Sequence, residues 1–152
     1  MAKYSATYEF AQDPDCIYGI LSDIEHMNAF MPLCKRSQVM SRRTTADAEV
    51  VEANFLLRYR QIEFERSLDL VLTLRPVERS VEVATTDTAF GSGVSRCTVS
   101  GMGRAGSHVA FETDYRIRNL FFRLFFGRRL LLQGVGRVME CVRQRAESLS
   151  GS

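Results

Sequence analysis

Near residue 118 the hydrophobic pattern of the chain changes from the period of strands to that of a long helix, and this change constrains the fold more than any other feature. Before that point several segments alternate apolar and polar residues, most clearly at residues 61–74, as strands with one buried face do. After it, apolar residues recur every three or four positions, the spacing of one helical face. Those positions are 121, 124, 125, 131, 132, 135, 138, 139, 142, 146 and 149. The pattern predicts an antiparallel sheet followed by one long helix over residues 119–149.

The remaining segments complete an α+β prediction. Residues 3–10 alternate as a strand, and Asp13 followed by Pro14 is typical of a helix start, because Asp caps helices and Pro suits the first helical position. A second short helical turn is predicted around Met27 to Met31, ending at Pro32. Further strands are predicted at residues 37–42, 46–55, 61–74, 80–86, 94–102 and 108–117, with a loop at residues 90–93. No repeat or linker divides the chain, so we expect one domain over residues 1–152.

Composition and charge exclude several classes of protein. The 152 residues are 45% hydrophobic and 25% charged, enough to bury roughly 68–70% of the unfolded surface without a metal or disulfide. A net charge of +2 does not favour a DNA-binding protein. The most apolar stretch, residues 120–132, is interrupted by arginines and is too short to span a membrane. The start lacks the apolar run of a secretory signal and no Cys pair has CxxC spacing, so free thiols and a cytoplasmic location are expected.

The predicted long helix begins in a segment that is both basic and strongly apolar. Residues 116–145 contain eight Arg and a single acidic residue, Glu140. Apolar side chains surround the first turns, which is more apolar surface than one sheet can cover, so peripheral contact with an anionic inner membrane is predicted. A dimer contact and tighter burial are the alternatives. The predicted membrane-contact residues are Phe121, Phe122, Phe126, Arg123, Arg128 and Arg129.

Candidate catalytic residues are few. His26 lies in a charged helical segment and His108 on the polar side of its strand, and neither belongs to a recognisable catalytic or metal-binding motif. Arg66 and Glu52 each interrupt an apolar row. Either such a residue returns to solvent at a bulge or strand end, or it anchors the head group of a ligand and needs a partner there.

One block of the sequence is similar to a known family. The segment Y-x-x-L-x-D-I-E-x-x-x-x-F-M-P-L-C-x-x-S-x-V, residues 18–39, resembles the opening of coenzyme Q-binding START-domain proteins of the polyketide cyclase/dehydrase and lipid-transport superfamily. Relatives there include the bacterial ribosome-association toxin. Weaker similarities are Ala48-Glu49-Val50, Asp87-x-x-Phe90, Val109-x-Phe111-x-x-x-Tyr115 followed by Phe121-Phe122, and Met139-x-x-x-Val142-x-x-Arg145-Ala146. The chain departs from the family pattern at Leu33 and at Cys97-x-Val99, where the family has Trp.

The resemblance implies a helix-grip (START/Bet v1-like) fold: a six- to seven-stranded antiparallel sheet wrapped around the long C-terminal helix, with two short helices after the first strand. It also implies a non-enzymatic protein that binds ubiquinone or another isoprenoid lipid between sheet and helix, and delivers it at the membrane to support respiration. No metal or other cofactor is expected. The expected ligand-binding residues are Phe30, Met31, Phe64, Arg66, Leu68, Phe111, Tyr115, Phe125, Leu131, Val135 and Met139.

Two alternatives stay open at this point. One is an aromatase/cyclase for polyketides, whose acid or base would have to be Arg66, Tyr115 or Glu52. The other is a module that binds the ribosome through the basic C-terminal segment.

Overall fold

A seven-stranded antiparallel sheet forms the body of the computed structural model, which describes residues 2–31, 34–59, 64–85, 91–103, 106–117 and 128–150. The strands are β1 (Ala2–Phe10), β2 (Cys34–Thr44), β3 (Glu49–Tyr59), β4 (Phe64–Arg75), β5 (Ser80–Thr85), β6 (Gly91–Met102) and β7 (Gly106–Ile117). Strands β2 to β7 pair in chain order, and β1 pairs with β7, so that β1 and β2 are the two edges. The predicted α+β class and antiparallel sheet are confirmed.

Helices α1 (Pro14–Leu21) and α2 (Met27–Phe30) follow β1, with a 3-10 turn at Ile24–His26 between them, and α3 (Arg128–Ser150) ends the chain. The predicted start of α1 is confirmed, because the Cys16 amide N–H donates to Asp13 Oδ1 at 2.8 Å and Pro14 is the first helical residue. The predicted helix positions 119–127 lie outside the described residues.

The prediction of a loop at residues 90–93 is wrong for residues 91–93, because strand β6 begins at Gly91. Gly93 pairs with Tyr115 of β7. A Cβ at position 93 would lie 2.9 Å from the Tyr115 Cβ, closer than real Cβ atoms approach other atoms. Glycine is therefore required by the close approach of two strands and does not mark a turn.

The core lies between one face of the sheet and the helices. From the sheet it takes Val51, Ala53, Leu70, Leu72, Leu74, Val81, Val99 and Val109. From the helical segments it takes Ile17, Ile20, Leu21, Ile24, Met27, Met139, Val142 and Ala146. Alternate strand residues supply this face, hereafter the inner face, which confirms the predicted half-buried strands.

Arg143 fixes the C-terminal half of α3 against the β1 edge. Its Nη2 donates to the Glu9 carbonyl oxygen at 2.9 Å, its Nη1 donates to Glu140 Oε2 at 2.7 Å, and its guanidinium lies 5.2 Å from the centre of the Phe10 ring. A cation over an aromatic face is attracted by the ring electrons. The helix is therefore anchored at its C-terminal half.

Candidate functional site

Along β6 and β7 the inner face is packed at one end and less covered at the other. At the packed end of these two strands Val109 is fully buried and Val99 is 3% exposed. At the other end Tyr4, Ser95 and Tyr115, which lie on the same face of β1, β6 and β7, are only half-buried. The described helices therefore leave room beside this end of the sheet, which we take as the candidate ligand site.

Four side chains at this end form a hydroxyl cluster: Tyr4, Ser95, Thr113 and Tyr115. Tyr4 and Ser95 both pair with Thr113 in the sheet, and the Ser95 Oγ and Thr113 Oγ1 are hydrogen-bonded at 2.9 Å. The rings of Tyr4 and Tyr115 lie 5.6 Å apart with a 34° interplanar angle. Burial, and then a hydrogen bond with Tyr4, raise the pKa of Tyr115, so its hydroxyl stays protonated at physiological pH.

The neighbouring rows of the inner face are apolar. Phe111 is 6% exposed and pairs with Cys97, and burial raises the pKa of the Cys97 thiol to about 12. Burial also raises the pKa of the Tyr8 hydroxyl. Both groups are therefore neutral at physiological pH, and the site combines an apolar floor with a neutral hydroxyl-bearing end.

Five of the predicted ligand-binding residues lie on the inner face or on the side of α3 that packs against the core, spread over β4, β7 and α3. Leu68, Phe111 and Tyr115 lie on the inner face, and Val135 and Met139 face the sheet from α3. Phe111 and Met139 are almost fully buried, which suits packing beneath a ligand, whereas Leu68, Tyr115 and Val135 are half-buried.

Other predicted positions are only partly described. Phe30 and Met31 are half-buried and pack against the core at the end of α2. The backbones of Phe64 and Arg66 pair with Tyr59 and Leu57 of β3, and Leu131 belongs to α3. The side chains of Phe64, Arg66, Leu131, Arg128 and Arg129 lie outside the described part of the chain, as do Phe121, Phe122, Arg123, Phe125 and Phe126 entirely.

The interpretation of Glu52 as a cavity residue is wrong. Glu52 is exposed and lies on the opposite face from its buried neighbours Val51 and Ala53, so it returns to solvent. His26 is also exposed, with its Nδ1 2.8 Å from Asp23 Oδ1. Across the described ranges no cluster of His, Cys, Asp or Glu is suited to hold a metal ion, and no helix is long and apolar enough to cross a membrane.

A depression of about 480 Å³ lies against β1, β7 and β6, and Tyr4 and Thr113 of the hydroxyl cluster border it. Its lining also includes Lys3, Ser5, Arg96, Glu112 and Asp114, which alternate with the inner-face residues and so belong to the outer face. These charges make it unsuited to an apolar ligand.

Sequence reasoning found Tyr115 and missed the rest of the hydroxyl cluster. Tyr4 and Thr113 share the parity of the apolar residues in their strands, so alternation alone does not distinguish them from core residues. The available signal was that hydroxyl residues at positions 4, 95, 113 and 115 share the parity of the buried face, but the pairing that brings them together joins the two ends of the chain.

Comparison with known proteins agrees with this architecture. The family model described as "Polyketide cyclase / dehydrase and lipid transport" matches residues 11–131. No curated protein sequence matches the chain.

Solved structures share the fold over nearly the whole chain. A START superfamily protein from Mycobacterium smegmatis has 14% identity and a TM-score of 0.77, covering 97% of this chain and 98% of its own. The Zhui aromatase/cyclase from Streptomyces sp. R1128 has 12% identity and a TM-score of 0.80, with 96% and 93% covered. An 18 kDa protein from Caulobacter crescentus has 15% identity and a TM-score of 0.80, with both chains fully covered (100% and 100%). The predicted helix-grip fold is confirmed.

The prediction that the protein is not an enzyme is wrong as an exclusion. Solved aromatase/cyclases have this fold, and the matching family description names cyclases and dehydrases beside lipid transport. The same fold is therefore found in enzymes as well as in lipid-transport proteins.

Proposed function

The chain belongs to the polyketide cyclase/dehydrase and lipid-transport family, and from this membership we propose that it binds a hydrophobic small molecule between the inner face of the sheet and α3. The observation that carries the proposal is the fall in burial along the inner face, from fully buried Val109 to half-buried Tyr115. Binding sites for small molecules are mostly apolar with a few polar groups, and this end of the face has that composition.

The ligand we propose is a quinone or another isoprenoid lipid, as the resemblance of residues 18–39 implies. Its tail would lie along the half-buried Leu68 and Val135, above Phe111 and Met139. An organic extract of the purified protein, analysed by mass spectrometry, should contain such a lipid in stoichiometric amount. An extract without any bound lipid, from protein that also fails to bind an apolar fluorescent probe, would contradict the proposal.

A filling mutation tests the position of the site. Val83 is half-buried on the inner face and pairs with Ser95, so Val83→Phe should fill the space and weaken binding of an apolar probe. Val94 lies one residue away in β6, is 43% exposed on the outer face, and gives the matched control Val94→Phe. Equal binding by both variants would place the ligand elsewhere.

Delivery at a membrane is the second part of the proposal. It is supported by the sequence of residues 121–129, which combines Phe and Leu side chains with three Arg. The double change Phe122→Ser and Phe126→Ser should weaken sedimentation with phosphatidylglycerol vesicles, each nearby Arg contributing about 1 kcal/mol to binding. The control Val77→Ser removes an apolar side chain that is 90% exposed on the β4–β5 turn. Unfolding of the double variant would show instead that both Phe belong to the core.

An aromatase/cyclase activity is the second candidate function, favoured by the neutral hydroxyls of Ser95, Thr113 and Tyr115. Such hydroxyls can donate to a ketone oxygen as a carbon–carbon bond forms and water leaves. Incubation with a poly-β-ketone substrate should then yield a cyclised product lighter by one water. An unchanged substrate would count against the activity without affecting the binding proposal.

A further inference from the structure

The hydroxyl cluster keeps donor capacity for a ligand. Two hydroxyls carry two protons and four lone pairs, and one mutual hydrogen bond uses a single proton. Ser95 and Thr113 make their one hydrogen bond to each other in the described part of the chain. The pair therefore has a second hydroxyl proton to donate, and several lone pairs with which to accept, on the half-buried end of the inner face.

The described side chains that share the inner face of β1, β6 and β7 with the cluster are uncharged. On β1, β7 and β6 the described inner-face side chains are hydroxyls, a thiol, aromatic rings and small aliphatic groups. The charged side chains of these strands, such as Lys3, Glu112 and Asp114, take the alternate positions on the outer face. Arg42 on β2 and Glu49 on β3 pair with each other three or more strands from β6, and Arg66 belongs to β4, two strands from β6.

An ionised head group placed beside the cluster would lose its hydration without gaining an opposite charge from the described side chains of β1, β6 and β7. Burying an unpaired charge costs several kcal/mol, whereas a neutral carbonyl or hydroxyl group is satisfied by one or two hydrogen bonds. Gly93 adds a steric constraint, because a side chain at position 93 would collide with Tyr115. Gly93 and Tyr115 pair with each other next to the Ser95–Thr113 pair.

We propose that Ser95, Thr113 and Tyr115 form a polar subsite that selects ligands ending in a neutral carbonyl or hydroxyl oxygen and rejects those ending in a carboxylate or phosphate. The inference rests on the proposed binding function and deepens it by naming the class of ligand. A ketone, quinone or phenol oxygen accepts from the Ser95–Thr113 pair, a ligand hydroxyl can donate to the Tyr115 oxygen, and the apolar remainder lies over Phe111.

Three probes of equal ring size test this selection at neutral pH: naphthalene, 2-naphthol and 2-naphthoate. Calorimetric titration should give the tightest binding for 2-naphthol, roughly three- to tenfold tighter than naphthalene, as one hydrogen bond contributes. The carboxylate should bind more weakly than naphthalene.

The variants Thr113→Val, Ser95→Ala and Tyr115→Phe should each reduce or remove the preference for 2-naphthol while retaining naphthalene binding. Matched controls are Thr7→Val, on the exposed outer side of β1, and Tyr18→Phe on α1, which should keep the preference. A melting curve for each variant shows whether it folds, and Ser95→Ala carries the test if Thr113→Val does not.

The outcomes separate this inference from the function on which it rests. Equal binding of naphthalene and 2-naphthol, unaffected by the three variants, overturns the subsite and leaves hydrophobic binding intact. Tightest binding of 2-naphthoate also overturns it, because a cation must then face the ligand. Absence of binding by all three probes overturns the proposed function together with the subsite.

Discussion

Gly93 has no side chain, and this allows β6 and β7 to approach each other closely. A Cβ there would lie 2.9 Å from the Tyr115 Cβ and 3.2 Å from the Asp114 carbonyl oxygen. Neither atom can move without shifting β7, and Tyr115 belongs to the hydroxyl cluster.

We therefore expect Gly93→Ala to lower the free energy of unfolding by about 1–3 kcal/mol through overpacking. The matched control is Gly101→Ala in the same strand, where the nearest atom to an added Cβ is Pro14 Cγ at 3.7 Å, an ordinary contact. Denaturant titration of both variants measures the difference. A Gly93→Ala protein as stable as Gly101→Ala would show that β7 yields easily.

The residue scale is also where prediction from the sequence reaches its limit. Alternation identified Phe111 and Tyr115 as inner-face residues, which the structure bears out. Alternation gives the face of a residue but not its position along the sheet, so it could not separate buried Phe111 from half-buried Tyr115.

Among the elements, α3 has its polar contact with the sheet in its C-terminal half, at Arg143. Arg143 anchors it to β1 through the Glu9 carbonyl oxygen and the Phe10 ring. Replacing Arg143 by Gln should lower the free energy of unfolding by roughly 1–2 kcal/mol, since a charged hydrogen bond and a cation–π contact are lost.

The control for this change is Arg137→Gln, an exposed position on the same helix. Thermal and denaturant unfolding of the two variants should differ by most of that amount. Equal stability would mean that apolar packing alone holds α3 in place.

Two glycines, Gly134 and Gly136, lie in α3 where an added Cβ meets nothing within 4 Å. Replacing both by Ala should raise the free energy of unfolding by about 0.8–1.0 kcal/mol per site, because Ala is the better helix former. If this helix and the Phe30–Met31 segment separate to admit ligand, exchange of an apolar probe should also slow. A raised melting temperature with unchanged exchange would show that α3 is not the gate.

The elements themselves were largely predictable from the sequence. Pro14 and Asp13 identified the start of α1, and alternation identified every strand. The predicted start of β6 was wrong because Gly91 and Gly93 are typical of a turn in the sequence. Gly93 is instead required by its close contact with Tyr115, which lies more than twenty residues later.

In the protein as a whole, all four cysteine thiols stay protonated at physiological pH. Cys16, Cys34, Cys97 and Cys141 are free, as expected, and burial raises the pKa of each, that of Cys97 from 9.0 to about 12. Between those pH values the folded protein retains protons that the unfolded chain has released. The free energy of unfolding should therefore be unaffected by Cys97 below about pH 9 and should fall as pH rises above it.

Denaturant unfolding at about pH 8 and about pH 9.5 measures this slope before most tyrosines ionise. Cys97→Ala should flatten the slope, even if the smaller side chain lowers stability at both pH values. Val99→Ala truncates a buried residue of the same strand without removing an ionisable group, and should keep the slope. A slope unchanged by Cys97→Ala would assign it to other groups.

The pairing of β1 with β7 has a consequence for the order of events during synthesis. Phe10 pairs with Ser107 and Ala2 with Tyr115, so the first strand to leave the ribosome finds its partner only after about a hundred more residues have been made. Contacts this distant in sequence form slowly, since a long loop must close first. The hydroxyl cluster joins residues of β1, β6 and β7, so it is completed only after residue 115 has been made. A nascent chain that ends before β7 therefore has no assembled hydroxyl cluster.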